Sequence, residues 1–354
     1  MVKRYYSACA DCAESLELEK GNAKVLLRQA KCELALGNPE RAITLYSEVL
    51  AEDPGNSVAR TEKASAQVAY KTICEVRGAV AEGNAARVAE LTGGTLLDKC
   101  PGSTFLRLQR GNALLTVGRV DEALKLSEDL VRDDDSGGGG ISSFLLLRAR
   151  CLFYQGNGNS ALKTLQECLR QDPDDPAAAK LVKQIKRAEA LKKEGNDAYS
   201  AEKWDLALES YRAALALDPA NKKFCALLLC NCAAVLLKQD KPGESVGECN
   251  ASIEADETYV KAYIRRGEAY IAMGDLDSVG SAIRDYNKAK ELLGGAAPSG
   301  GGGGAGRGSS SSSAPAPSEE NKALLKQVEE KLKNAQKALK KAKFKDYYKI
   351  LGVR

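Results

Sequence analysis

Histidine is absent from all 354 residues of the chain. That removes every Ser-His and Cys-His nucleophile pair and the commonest general base. Aromatic residues make up only 5% of the chain, with a single tryptophan, so any core must be built from aliphatic and small side chains. No apolar run reaches about 18 residues, so no segment reads as a membrane span. No signal peptide is visible. The charges nearly balance at +4, which gives no reason to expect a nucleic-acid partner. Neither a glycine-rich phosphate loop nor a metal-ligand constellation is present, so no enzyme, no cofactor and no metal are expected.

The 11 cysteines are odd in number and dispersed. A lone C-x-x-C, Cys9 to Cys12, makes a poor zinc site without a second pair. The set reads as small packing residues in a reducing compartment.

Alanine, leucine, glutamate and lysine dominate, which favours an all-α fold. The stretch "LKKEGNDAYSAEKWDLALESYRAALALDP", Leu191 to Pro219, reads as two helices and a turn. With Ala188 as position 1, Gly195 falls at 8, Ala207 at 20, Tyr211 at 24, Ala214 at 27 and Pro219 at 32. Small residues at 8, 20 and 27 let two helices approach closely, and the proline closes the second. The same ruler started at Ala23 gives Ala30, Gly37, Ala42, Tyr46 and Pro54. Started at Thr104 it gives Gly111, Gly118, Ala123 and Leu130, and at Ser142 it gives Ala149, Gly156, Ala161, Cys168 and Pro173. At Ala226 it gives Ala233, with Ser245 and Ser252 in place of alanines; at Val260 it gives Gly267 and Gly274, then Ala282, Tyr286 and Ala289 after a short insertion. A degenerate copy near 70–101 keeps Ala89, Leu96 and Pro101. This spacing resembles the tetratricopeptide repeat, and the resemblance implies a solenoid of stacked helical hairpins.

Extra residues between copies suggest breaks between stacks. The expected organisation is a truncated first module at 1–56, a connecting helix at 57–69, a middle module at 70–175, a connecting segment at 176–187 and a third module at 188–293. A Gly/Ser/Pro linker at 294–318 follows, then a capping and basic helix at 319–345 and a final segment at 346–354.

On the first helix of each repeat, positions 2, 5, 6 and 9 lie beside the packing stripe and face a groove. In the third module these positions hold Lys192 and Asn196, then Asn231, then Lys261 and Arg265. Three cations and two amides in one groove suit an extended peptide that ends in carboxylates. The middle module carries Cys74, Gly78, Ser143 and Leu147 at the corresponding places and lacks such donors. The first module carries Lys24 and Arg28 at positions 2 and 6.

These residues are similar to the two-carboxylate clamp of tetratricopeptide co-chaperones. The closing "DYYKILGVR", Asp346 to Arg354, resembles the start of a J domain, and "EADETYVKAYIRR" resembles the corresponding stretch of tetratricopeptide J-domain co-chaperones. The resemblance implies an adaptor for client transfer and protein folding. Lys192, Asn196, Asn231, Lys261 and Arg265 would then grip the C-terminal Glu-Glu-Val-Asp of heat-shock chaperones of the seventy- and ninety-kilodalton classes. Lys24 and Arg28 would be the remaining part of a second clamp. The family's J domain acts through a His-Pro-Asp tripeptide, which a chain without histidine lacks, so a J domain incomplete within its first helix is expected, as is a chain truncated at both ends. ATPase stimulation is expected only of a complete gene product. The expected setting is the cytoplasm, with unfolded clients as further partners and neither nucleic acid nor membrane. Two alternatives stay open: a general peptide-binding scaffold, and an endoplasmic-reticulum relative with the same order of parts that binds unfolded chains.

Overall fold

The computed structural model describes residues 2–19, 21–133, 140–294 and 319–350. Among them are seventeen α-helices and no strand. The helices are α1 (Val2–Leu18), α2 (Ala23–Leu36), α3 (Pro39–Glu52), α4 (Ser57–Ala81), α5 (Ala85–Leu91), α6 (Thr95–Lys99), α7 (Thr104–Val117), α8 (Val120–Asp133), α9 (Ile141–Tyr154) and α10 (Gly158–Gln171). They continue as α11 (Pro176–Ser200), α12 (Trp204–Leu217), α13 (Lys222–Lys238), α14 (Pro242–Ala255), α15 (Val260–Met273), α16 (Leu276–Leu293) and α17 (Glu319–Ile350).

Local sequence sets these boundaries. Asn22, Asn56, Asn84, Ser103, Asn221 and Asp275 cap helix starts through their side chains, each accepting from a backbone N–H two or three residues on. Pro39 and Pro242 sit in the first turns of α3 and α14, where a missing N–H costs nothing.

Each repeat closes through small residues. Ala42, Ala123, Ala161, Ala207, Ala214, Ala282 and Ala289 are fully buried. Gly195 lies so close to the Tyr211 ring that a Cβ there would be 2.5 Å from it, and Gly267 stands in the same relation to Tyr286 at 2.6 Å. Ser245 and Ser252, which replace alanines, are also buried. Their hydroxyls donate to the carbonyls of Ala233 at 2.9 Å and Ala226 at 2.7 Å. Serine fits an alanine site here because the neighbouring helix offers an acceptor.

The chain divides into two compact units, Met1–Ile185 and Lys186–Arg354. The stretches expected to separate stacks are helical: 57–69 forms the first half of α4 and 176–187 the first half of α11. In the first unit, one cluster of buried side chains runs from Ala30 through Ala66 and Ile73 to Cys151, so residues on both sides of 57–69 share a core. The degenerate repeat near 70–101 has its second helix split into α5 and α6 at Thr92–Gly94, where Gly94 takes a φ of 66°.

In the second unit α17 covers the last repeat. Val328 and Ala335 are buried against Tyr286 and Leu293 of α16, with Leu324, Leu325 and Leu332 beside them. Lys331 pairs with Glu268 of α15 at 2.7 Å, and Lys290 of α16 pairs with Glu329 at 2.8 Å. Of the expected linker, residues 295–318 lie outside the described residues, as do the last four residues of the J-domain signature.

Candidate functional site

Three helices of the second unit carry the expected groove residues: α11 holds Lys192 and Asn196, α13 holds Asn231, and α15 holds Lys261 and Arg265. Helix α13 packs directly on α15.

Cys230 is the centre of the arrangement. Arg265 Nη1 donates to the Cys230 carbonyl oxygen at 2.7 Å and approaches its Sγ at 3.5 Å. The Cys230 thiol is raised above its ordinary range by burial; Arg265 pulls it back down, Glu268 raises it and Lys261 lowers it a little, so both cations and one carboxylate act on the same spot. Asn231 is the next residue along the chain. The hydroxyl of Tyr211 donates to Asn196 Oδ1 at 2.8 Å. Burial pushes that hydroxyl up to about 12, and Arg265 opposes the shift. Arg265 and Lys261 thus act on Cys230, and Tyr211 connects Asn196 to the field of Arg265.

Lys192 makes its contacts elsewhere on α11 and α13. Its Nζ lies 5.7 Å from the centre of the Phe224 ring on α13 and 2.5 Å from Glu189 Oε2. Phe224 is seven residues, about two turns, before Asn231 on the same face of α13.

These helices keep unused donors. Among the described residues, the Asn196 and Asn231 amide nitrogens, Lys261 Nζ and Arg265 Nη2 have no hydrogen-bond or ion-pair partner. The neighbouring Glu268 is occupied by Lys331, and Glu189 by Lys192. N–H donors without partners, with the nearby carboxylates Glu268 and Glu189 already paired to lysines, suit an anionic ligand.

Lys24 and Arg28 lie in the first unit. Both are exposed and line a cleft of about 380 Å³ with Asp11, Cys12 and Ser15 of α1. Asp11 supplies a negative charge there that no lysine or arginine pairs with among the described residues. At the middle module's corresponding positions, Cys74 is exposed, whereas Leu147 is buried over Gly111 and takes no part in a groove.

Several participants were not singled out from the sequence. Tyr211 looked like a packing residue, yet its hydroxyl orients Asn196. Cys230 looked like an inert small residue, yet its carbonyl fixes Arg265. Phe224 carries no sequence signal beyond its place two turns before Asn231. Arg266, adjacent to Arg265 in "YIRRGE", turns the other way: it makes a two-pronged pair with Asp285 of α16 at 2.8 and 2.6 Å and reaches Asn250 at 2.8 Å.

Comparison with known proteins follows this geometry. Tetratricopeptide repeat patterns match residues 3–67, 108–178 and 192–259, together more than half of the chain. DnaJ homolog subfamily C member 7 of Homo sapiens is 30% identical over 100% of this chain, and the match covers 64% of that protein. The corresponding homolog of Dictyostelium discoideum is 26% identical over 97% of this chain and 57% of its own length. The chain therefore spans less than two thirds of the length of these relatives. The crystal structure of the P58(IPK) TPR domain shares the fold, with a TM-score of 0.59 at 17% identity over 94% of this chain and 83% of that one. The chain belongs to the tetratricopeptide repeat family and is homologous along its length to DnaJ subfamily C members.

Proposed function

We propose that Lys192, Asn196, Asn231, Lys261 and Arg265 form a carboxylate clamp, and that the chain is a co-chaperone adaptor. Its ligand is the C-terminal Glu-Glu-Val-Asp tail of heat-shock chaperones of the seventy- and ninety-kilodalton classes. The observation that carries this reading is the set of unspent donors on α11, α13 and α15, with Arg265 fixed by the Cys230 carbonyl and Asn196 fixed by Tyr211. An anchored donor loses little freedom on binding, so more of each charged hydrogen bond is retained as affinity. Such bonds contribute about 1.5–3 kcal/mol each, and a micromolar complex needs about 8 kcal/mol net.

The homology to DnaJ subfamily C members supports a chaperone setting. Adaptors of this kind assist folding by holding chaperones and their clients together, and the cytoplasm is the compartment that fits both the tails and the free thiols. Stimulation of a chaperone ATPase belongs to a J domain with its His-Pro-Asp tripeptide, which these residues do not contain. Lys24 and Arg28 make a weaker second site, since Asp11 shares their cleft.

The test is calorimetric titration of a peptide ending in Glu-Glu-Val-Asp, then of its C-terminal amide. The clamp requires micromolar binding of the acid and at least tenfold weaker binding of the amide. Equal affinities would leave a general scaffold for internal segments as the better description.

A further inference from the structure

The near-neutral total charge conceals a division. Residues 331–349 hold eight lysines and one acid, Asp346, so the rest of the chain holds 44 Lys and Arg against 47 Asp and Glu, a net of −3. All eight lysines lie on α17.

Their placement on the helix is regular. Lys333, Lys337 and Lys341 repeat every four residues, with Lys340 between the last two, and all four are exposed. Four residues advance the helix by about 6 Å. Val328 and Ala335 mark the stripe buried on α16, and at about 100° per residue the four lysines fall on the opposite side. Lys331 and Lys290 are committed to carboxylates, but among the described residues Lys337, Lys340 and Lys341 have no acidic partner. In sequence, the helix continues with Lys343, Lys345 and Lys349, interleaved with Phe344, Tyr347 and Tyr348.

We infer that the solvent face of α17 is a docking surface for single-stranded RNA, held through its phosphates. A bilayer is a poor occupant, because the helix has already spent its apolar stripe on α16 and keeps none for lipid. A folded protein is also a poor occupant: stable protein interfaces need an apolar, aromatic or arginine core, and the other exposed residues between Lys333 and Lys341 are Asn334 and Gln336. Non-specific nucleic-acid binding needs only a line of cations at phosphate spacing.

The experiment is fluorescence anisotropy of a labelled 20-nucleotide oligouridine with the full chain between 50 and 200 mM salt. Binding is expected, with a log–log salt slope that becomes shallower by about 3 when Lys333, Lys337, Lys340 and Lys341 are all changed to glutamine, about 0.7 per phosphate contact. At 50 mM salt the affinity should fall at least tenfold, the thermal midpoint should not move, and the corresponding four-arginine variant should bind like the original. Oligoglutamate of equal length and phosphatidylserine vesicles are the comparison ligands. Equal RNA binding by the glutamine variant, tighter binding of oligoglutamate, or binding to vesicles alone would each overturn the assignment.

Discussion

Arg265 Nη1 rests on the backbone carbonyl of Cys230 at 2.7 Å, one residue before Asn231. A main-chain acceptor on α13 thereby holds a cation carried by α15. Substitution of the Cys230 side chain cannot remove that carbonyl. The guanidinium is oriented before any ligand arrives, and its Nη2 is left over.

Lys261→Ala removes a cation that is exposed and has no partner among the described residues. The loss of tail-peptide affinity should be about 1.5–3 kcal/mol, tenfold or more, with an unchanged melting curve. Binding to the unaltered protein should also weaken as salt rises from 50 to 500 mM, because exposed charges are screened. Calorimetry checks both points, and a salt-independent affinity would indicate an apolar groove.

Gly195→Ala places a Cβ 2.5 Å from the Tyr211 ring, which is buried and has no room to retreat. The expected cost is about 1–3 kcal/mol of stability. The same move displaces the Tyr211 hydroxyl from Asn196, so peptide affinity should fall as well. Gly267→Ala meets Tyr286 in the same way, but Tyr286 does not hold a groove residue, so it should lower stability with a smaller effect on binding. Urea unfolding and peptide titration of both variants separate the two effects.

Arg266→Ala should do the reverse of Lys261→Ala. It leaves Asp285, only 7% exposed in its side chain, as a buried carboxylate without its partner. The stability loss should be about 3 kcal/mol. Tail binding should persist at temperatures where the variant is folded. Chemical denaturation alongside titration tests the contrast between neighbouring arginines.

Thiol chemistry should follow burial. Burial pushes Cys151, Cys232 and Cys249 up to about 12 from an ordinary 9.0, while Cys74 is exposed. Only thiolates alkylate, so at pH 8 iodoacetamide should modify Cys74 first in the native protein and all 11 cysteines only after denaturation. The linked stability effect has a definite sign. Raised native values leave stability whole below about pH 9, and it falls as pH climbs toward 12, because the unfolded chain ionises first. Peptide mapping and melting between pH 7 and 11 measure these outcomes.

The repeat was legible because its constraints are local. Ala207, Ala214, Tyr211 and Gly195 recur at fixed spacing, and each is buried where the hairpin closes. Positions 5, 6 and 9 of successive first helices likewise singled out Lys192, Asn196, Asn231 and Arg265 as the candidates proposed for the clamp. Spacing could not reveal what orients them. Tyr211 to Asn196 spans 15 residues and Arg265 to Cys230 spans 35, and each depends on how two helices cross. Spacing did separate Arg265 from Arg266, since one residue is a rotation of about 100°, but could not show that the second side chain would be held by Asp285 of α16. The extra residues at 57–69 and 176–187 carried no proline or glycine pair that would end a helix at their C-terminal edge, and α4 and α11 run through them.

The most direct test of the clamp is a double-mutant cycle between Arg265 and the ligand's terminal carboxylate. Peptides ending in Glu-Glu-Val-Asp as free acid and as amide are titrated into the original chain and into Arg265→Ala. The account predicts that the amide penalty, large in the original, shrinks by about 1 kcal/mol or more in the variant, because the interaction has already been removed. Additive losses, with the same amide penalty in both proteins, would contradict it.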